Sequence, residues 1–301
     1  CHGHGTHVAG TLGGSGYGVA KGVRLVAVRV MDCRGSGYLS DLIAAVEWVT
    51  RHAIRPAVAN LSLGGTYSGA LEHAVRASIA SGVTYVVAAG NEDENACTGS
   101  PSGVPAAITV GATDSRDRRA DFSNYGGCVD LFAPGVGIIS AAAGSNTATR
   151  YLSGTSMAAP HVAGAAAMVL AAYPGYRPAQ VRNLLVSTAT TGRVHDARPG
   201  SPNRLLFTPR PPAAARIGTA TLPVAVAGRA YRTQLRLLGS RRGQWSLGGG
   251  RLPAGLRLSP GGVLSGTPTT ATRATVTVRF TDYVPRAVTR RYTLTVAAAH
   301  S

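Results

Sequence analysis

The stretch Gly154-Thr155-Ser156-Met157-Ala158-Ala159-Pro160-His161-Val162-Ala163-Gly164 governs how the rest of the chain is read. Small residues crowd a single serine, and an apolar, alanine-rich helical run follows from Ala165 to Ala172. Gly154 permits a tight turn and a close backbone approach. Ser156 then stands where a helix begins, near the positive end of its dipole. A serine there either caps the helix, its commonest task, or acts as a nucleophile that needs a base within hydrogen-bond reach.

Working outward, 301 residues suffice for one large domain and one small one. Hydrophobic residues make up 45%, enough for a full core and against disorder. No run of eighteen apolar residues occurs, so no membrane span is expected. The first residue is Cys1 rather than Met and no signal peptide is visible, which reads as a processed form or a fragment. Charge is uneven. Residues 1–208 hold 16 Lys+Arg against 12 Asp+Glu, and residues 209–301 hold 14 against 1. The last third therefore carries most of the net +17.

From the start, Cys1-His2-Gly3-His4-Gly5-Thr6-His7 packs three histidines into six residues. A zinc site is one reading, weakened by the flanking glycines and the lack of a nearby carboxylate. The other makes His4 a general base at the start of a helix, partnered with Ser156. Val23–Met31 is β-branched and reads as a strand. A turn at Gly35-Ser36-Gly37-Tyr38 precedes a helix capped by Ser40 or Asp41. Strands follow at 57–63, 84–89, 108–112 and 136–141, with a helix over 70–81 stopped by Gly82. Strands alternating with helices predict a parallel sheet covered on both faces. Chemistry in such sheets gathers beyond the carboxyl ends of the strands, where Ser62–Gly65 and Asn91 fall. Glu92-Asp93-Glu94 reads as a solvated loop.

These motifs together resemble the subtilisin-like serine proteases, nearest to the secreted proteinase K and aqualysin branch. His4-Gly-Thr-His-Val-Ala-Gly10 matches the family's histidine motif and Gly154-Thr-Ser-Met-Ala-Ala-Pro160 its serine motif. Ala88-Ala89-Gly90-Asn91 matches the segment whose Asn donates to the oxyanion, and Ser62-Leu63-Gly64-Gly65 the strand that pairs with substrate. The resemblance covers about residues 1–208. It implies a secreted endopeptidase with a subtilisin-like doubly wound α/β sheet, acting on polypeptides and made with an upstream propeptide. Ser156 would be the nucleophile, His4 the base and Asn91 the oxyanion donor. The backbone of Ser62–Gly65 and of Ser36, Gly37 and Tyr38 would hold a peptide as an added strand. Gly64, Ala88, Ala89 and Gly90 would leave room for a large substrate side chain. No cofactor is implied for catalysis.

The family's third catalytic residue, an Asp in Asp-Ser/Thr-Gly before the histidine motif, has no counterpart here. The chain therefore reads as N-terminally truncated, with that Asp and the first core strand upstream, and as inactive by itself. The alternative is a pseudoprotease that only binds. The resemblance also implies the disulfides Cys1–Cys33 and Cys97–Cys128. It implies a structural calcium ion held by the carbonyls of Pro105 and Ala107 and the carboxylate of Asp130.

Residues 209–215 read as a Pro/Ala-rich linker. Beyond it, 231–237, 274–280 and 290–296 alternate in the strand manner, and Gly-rich turns intervene. Leu252–Leu256 and Leu258–Pro268 resemble bacterial immunoglobulin-like domains, which implies a small all-β sandwich over 216–301. Its arginines, among them Arg229, Arg232, Arg236, Arg241, Arg242, Arg286, Arg290 and Arg291, read either as a site for anionic cell-wall polymers or as a composition-biased surface with no partner.

Overall fold

The computed structural model describes residues 2–208, 216–238, 243–282 and 287–299. The chain divides into two compact units, Cys1–Ala171 with Gly175–Pro209, and Ala172–Pro174 with Arg210–Ser301. The linker expected at 209–215 lies outside the described residues, as do Cys1, Arg241, Arg242 and Arg286.

The first unit runs α1 (His4–Gly13), α2 (Leu39–His52), β1 (Ala57–Leu61), β2 (Gly65–Thr66), α3 (Gly69–Ala80), β3 (Val83–Ala88), β4 (Gly99–Ser100), β5 (Ile108–Thr113) and β6 (Leu131–Pro134). It continues with β7 (Ile138–Ala141), β8 (Thr149–Leu152), α4 (Thr155–Ala172), α5 (Pro178–Thr188), β9 (Thr190–Thr191) and β10 (Arg204–Leu205). The main sheet has the order β1-β3-β5-β6-β10-β9, parallel except for β9 against β10. Both faces are covered, as the alternation of strands and helices predicts. Val86, Ala88, Ile108 and Val110 pack against Val162, Ala166, Val181 and Leu185 of α4 and α5. On the other face Val83, Tyr85 and Val87 pack with Val46 of α2 and Leu71 and Val75 of α3. Helix α4 is long and apolar enough to cross a membrane by composition, yet it is mostly buried as the core helix of this unit.

Three local expectations change. Residues 23–31 form no strand and are mostly exposed, with no ladder beside them among the described residues. β-branched content supplies propensity, but a strand exists only where a neighbour completes its hydrogen bonds. Helix α2 starts after Tyr38, whose side chain makes no cap, so neither Ser40 nor Asp41 is its N-cap. The strand expected at 136–141 pairs antiparallel with β8 outside the main sheet, and β6 takes the sheet position instead.

The second unit contains β11 (Arg216–Ile217), β12 (Ala225–Val226), β13 (Tyr231–Gln234), β14 (Leu237–Leu238) and β15 (Gly243–Gly249). β16 (Leu256–Leu258), β17 (Val263–Gly266), β18 (Thr272–Asp282) and β19 (Ala287–Ala297) follow. A sheet β12-β19-β18-β15, a sheet β13-β17-β16 and the pair β11-β14 enclose one core. Trp245, Val276, Val278, Phe280, Tyr292, Leu294 and Val296 alternate inward, with Trp245 meeting the Phe280 ring edge-on at 5.2 Å. The unit is a small all-β immunoglobulin-like sandwich.

Candidate active site

Ser156 is the second residue of α4, directly beyond the carboxyl edge of the sheet. Its Oγ donates to the carbonyl of Ser62, 3.1 Å away. In return, the Ser62 hydroxyl donates to the carbonyl of Ser156 at 2.7 Å, and Asn60 Nδ2 donates to the Ser62 hydroxyl at 2.9 Å. The chain after β1 is thus locked to the start of α4, 94 residues later. Asn60 Oδ1 is buried without a partner among the described residues.

Asn91 follows β3, the neighbour of β1. Its Oδ1 accepts from the Thr155 backbone N–H at 2.8 Å and from the Thr155 hydroxyl at 3.0 Å. A backbone N–H is always a donor, so the atom facing it must be the oxygen, and the orientation of the amide is settled. The Nδ2 group is left as the donor end of the amide, the kind of group that can serve an oxyanion. The loop carrying Asn91 is held by Asn124. Asn124 Oδ1 accepts from the N–H groups of Glu92 (2.9 Å) and Glu94 (3.1 Å), and Nδ2 donates to Ala89 O (3.1 Å) and Glu92 Oε2 (2.9 Å). Gly90, at φ 110°, passes so close that a Cβ there would lie 2.2 Å from Asn124 Nδ2. Glu92-Asp93-Glu94 is not merely solvated. Glu92 Oε2 accepts from Asn91 N at 2.7 Å, and Asp93 pairs with Arg119 at 2.9 Å and Arg198 at 3.3 Å.

His4 opens α1 and is partly buried. Burial, and then the neighbouring His2 and His7, hold its imidazole below the usual histidine range, which favours the neutral, proton-accepting form. The end of helix α1 approaches α4 at Gly164, where a Cβ would stand 2.9 Å from the Leu12 carbonyl. His7 is structural, its Nε2 placed 2.9 Å from Ile138 O and 3.1 Å from Arg150 O. No hydrogen bond joins His4 to Ser156 among the described residues. No group of three or more His, Cys, Asp or Glu there is arranged to hold a metal.

A cleft of about 240 Å³ lies between Gly37 and Tyr38 on one side and Leu63, Gly64 and Gly65 on the other. The expected substrate-holding segments therefore converge, except that Ser36 does not line the cleft and Ser62 is tied to Ser156. Ala88 and Ala89 are buried, and Gly90 is half-buried at the end of β3.

Cys97 and Cys128 form a disulfide. The partner expected for Cys33, Cys1, lies outside the described residues. The calcium expectation fits poorly. Asp130 Oδ2 accepts from Thr109 N at 2.9 Å, and Oδ1 pairs with the Arg182 guanidinium. Both carboxylate oxygens are engaged by protein donors, and Arg182 already supplies the cation that a metal would bring. Burial pushes the Asp130 carboxyl up, and Arg182 works against that shift.

Thr155, Asn60 and Asn124 were not legible as functional residues. Thr155 and Asn124 act through partners at least 30 positions away, and Asn60 acts through Ser62, itself bound to Ser156 94 positions on; no local pattern marks that.

A doubly wound α/β fold that sets a serine at a helix start, beside an anchored amide donor and a histidine-bearing helix, is built in the manner of serine-nucleophile hydrolases. Residues 1–206 match the subtilase family, and the chain belongs to that family. Residues 211–297 match an Ig domain family. The chain is 59% identical over 209 residues to an extracellular serine proteinase of Thermus sp. (strain Rt41A), covering 69% of this chain and 51% of that protein. It is 55% identical over 207 residues to alkaline serine exoprotease A of Vibrio alginolyticus, covering 69% of this chain and 38% of that one. The chain thus spans about half of the length of the first of these relatives and less of the second. The crystal structure of a cold adapted subtilisin-like serine proteinase superposes with a TM-score of 0.67 at 52% identity, over 69% of this chain and 75% of the other.

Proposed function

We propose that this protein is a secreted serine endopeptidase that cleaves polypeptides through an acyl-enzyme. Ser156 Oγ attacks the scissile carbonyl while His4 takes its proton, and His4 later returns a proton to the leaving amine. The Asn91 amide donates to the oxyanion formed in between. In this reading the carboxylate that orients His4 comes from a segment upstream of Cys1, where the precursor also carries a propeptide. Substrate lies as an added strand between Ser36–Tyr38 and Ser62–Gly65, with Ala88–Gly90 bordering the pocket for its side chain. The observation that supports the proposal is the anchoring of Asn91 Oδ1 by Thr155, the residue before Ser156, which leaves Nδ2 as the donor end of the amide. For residues 216–301 we propose attachment to anionic cell-wall polymers.

The alternative is a pseudoprotease that only binds. Labelling decides between the two. The protein expressed with its upstream segment should hydrolyse casein and be modified by a phosphonofluoridate at Ser156, and Ser156→Ala should lose both. Hydrolysis retained in Ser156→Ala would overturn the assignment.

A further inference from the structure

The outward face of the β15-β18-β19 sheet has an unusual composition. The inward residues of β18 and β19 are the apolar core, so the alternate residues face out: Arg273, Thr275, Thr277 and Arg279 on β18, and Thr289, Arg291, Thr293 and Thr295 on β19. The register sets Arg279 opposite Thr289, Thr277 opposite Arg291, Thr275 opposite Thr293 and Arg273 opposite Thr295. Arg279 and Arg291 are therefore diagonal neighbours, roughly 8 Å apart. Arg273 lies four residues further along, about 13 Å away. Among the described residues none of these three arginines forms a hydrogen bond or ion pair. The only Asp or Glu in residues 216–301 is Asp282.

A solubilising surface usually interleaves both signs of charge. Here three forked cations stand on a field of hydroxyls, and no acid among the described side chains pairs with them. Among the described residues no aromatic ring lies on this face, because Trp245, Phe280 and Tyr292 are in the core. That speaks against nucleic acid, whose bases need rings to stack on. We infer that this face binds a polyol-phosphate polymer of the cell-wall type, with guanidinium forks on successive phosphates and threonine hydroxyls on the polyol between them. The inference rests on the proposed attachment role and assigns it to one face.

The test uses the full chain and purified poly(glycerol phosphate) at about 50 mM salt. Arg279→Gln/Arg291→Gln should weaken binding at least tenfold and flatten its salt dependence. Arg216→Gln/Arg257→Gln removes the same charge from strands outside this sheet, where the two exposed residues stand opposite Leu238 and Ser265. That variant should stay within threefold of the parent, and melting curves should confirm that both variants are folded. Equal losses in the two variants would overturn the face assignment. No binding by the parent would overturn the attachment role itself. Polygalacturonate or single-stranded DNA competing as well as poly(glycerol phosphate) would overturn the choice of ligand.

Discussion

Replacing Asn124 with alanine should loosen the loop that carries Asn91 and cost roughly 3 kcal/mol. Asn124 is buried and its side chain makes four hydrogen bonds, two accepted from Glu92 and Glu94 and two donated to Ala89 and Glu92. At about 1 kcal/mol each, their loss amounts to about 4 kcal/mol. Glu92 and Glu94 are exposed, so water can serve their freed N–H groups and recover about 1 kcal/mol. The buried Ala89 carbonyl has no such rescue. For a unit of this size the melting point should fall by about 6–12 °C. Each unit contains one tryptophan, Trp48 and Trp245. Urea unfolding followed by Trp48 fluorescence in a Trp245→Phe background therefore reads the first unit alone. Asn124→Asp should be worse at neutral pH, because a carboxylate would then face Glu92 Oε2 and the Ala89 carbonyl. A loss below 1 kcal/mol in Asn124→Ala would refute the reasoning and leave the loop held by its other contacts.

His2→Gln should move the acid limb of kcat/KM to higher pH, because His2 is one of the groups that depress His4; an unmoved limb in the pH profile would remove His4 as the titrating base. Cys97→Ser/Cys128→Ser opens a loop closed across 31 residues and should cost roughly 3–4 kcal/mol by urea unfolding under non-reducing conditions. Arg182→Ala leaves the Asp130 carboxylate without its cation and should cost roughly 1–3 kcal/mol, the pair being buried on the Asp side only. Millimolar calcium should then raise the melting point of that variant by more than it raises the parent's, and equal shifts would show that Arg182 does not stand in for a metal.

Several features were legible in the residues themselves because they rest on local physics. Alternating apolar runs and Gly stops announced the doubly wound sheet, and Gly82 ends its helix as expected. Ser156 and His4 suggested a nucleophile and a base by residue type and motif, and a role for Asn91 came only with the family resemblance. The even spacing of inward residues on 274–280 and 290–296 marked the second sandwich. Tertiary structure alone decided the rest. Val23–Met31 has strand chemistry but lacks a ladder, because pairing depends on a neighbour and not on propensity. Glu92–Glu94 looked solvated until Asn124, Arg119 and Arg198 arrived from distant positions to bind it. The Asp130 carboxylate, assigned to a metal by the family resemblance, meets Arg182 only because the fold brings α5 to it across 52 positions. The Ser62–Ser156 exchange joins residues 94 apart, and no local pattern can encode a contact that exists only once two strand ends and a helix start share one edge.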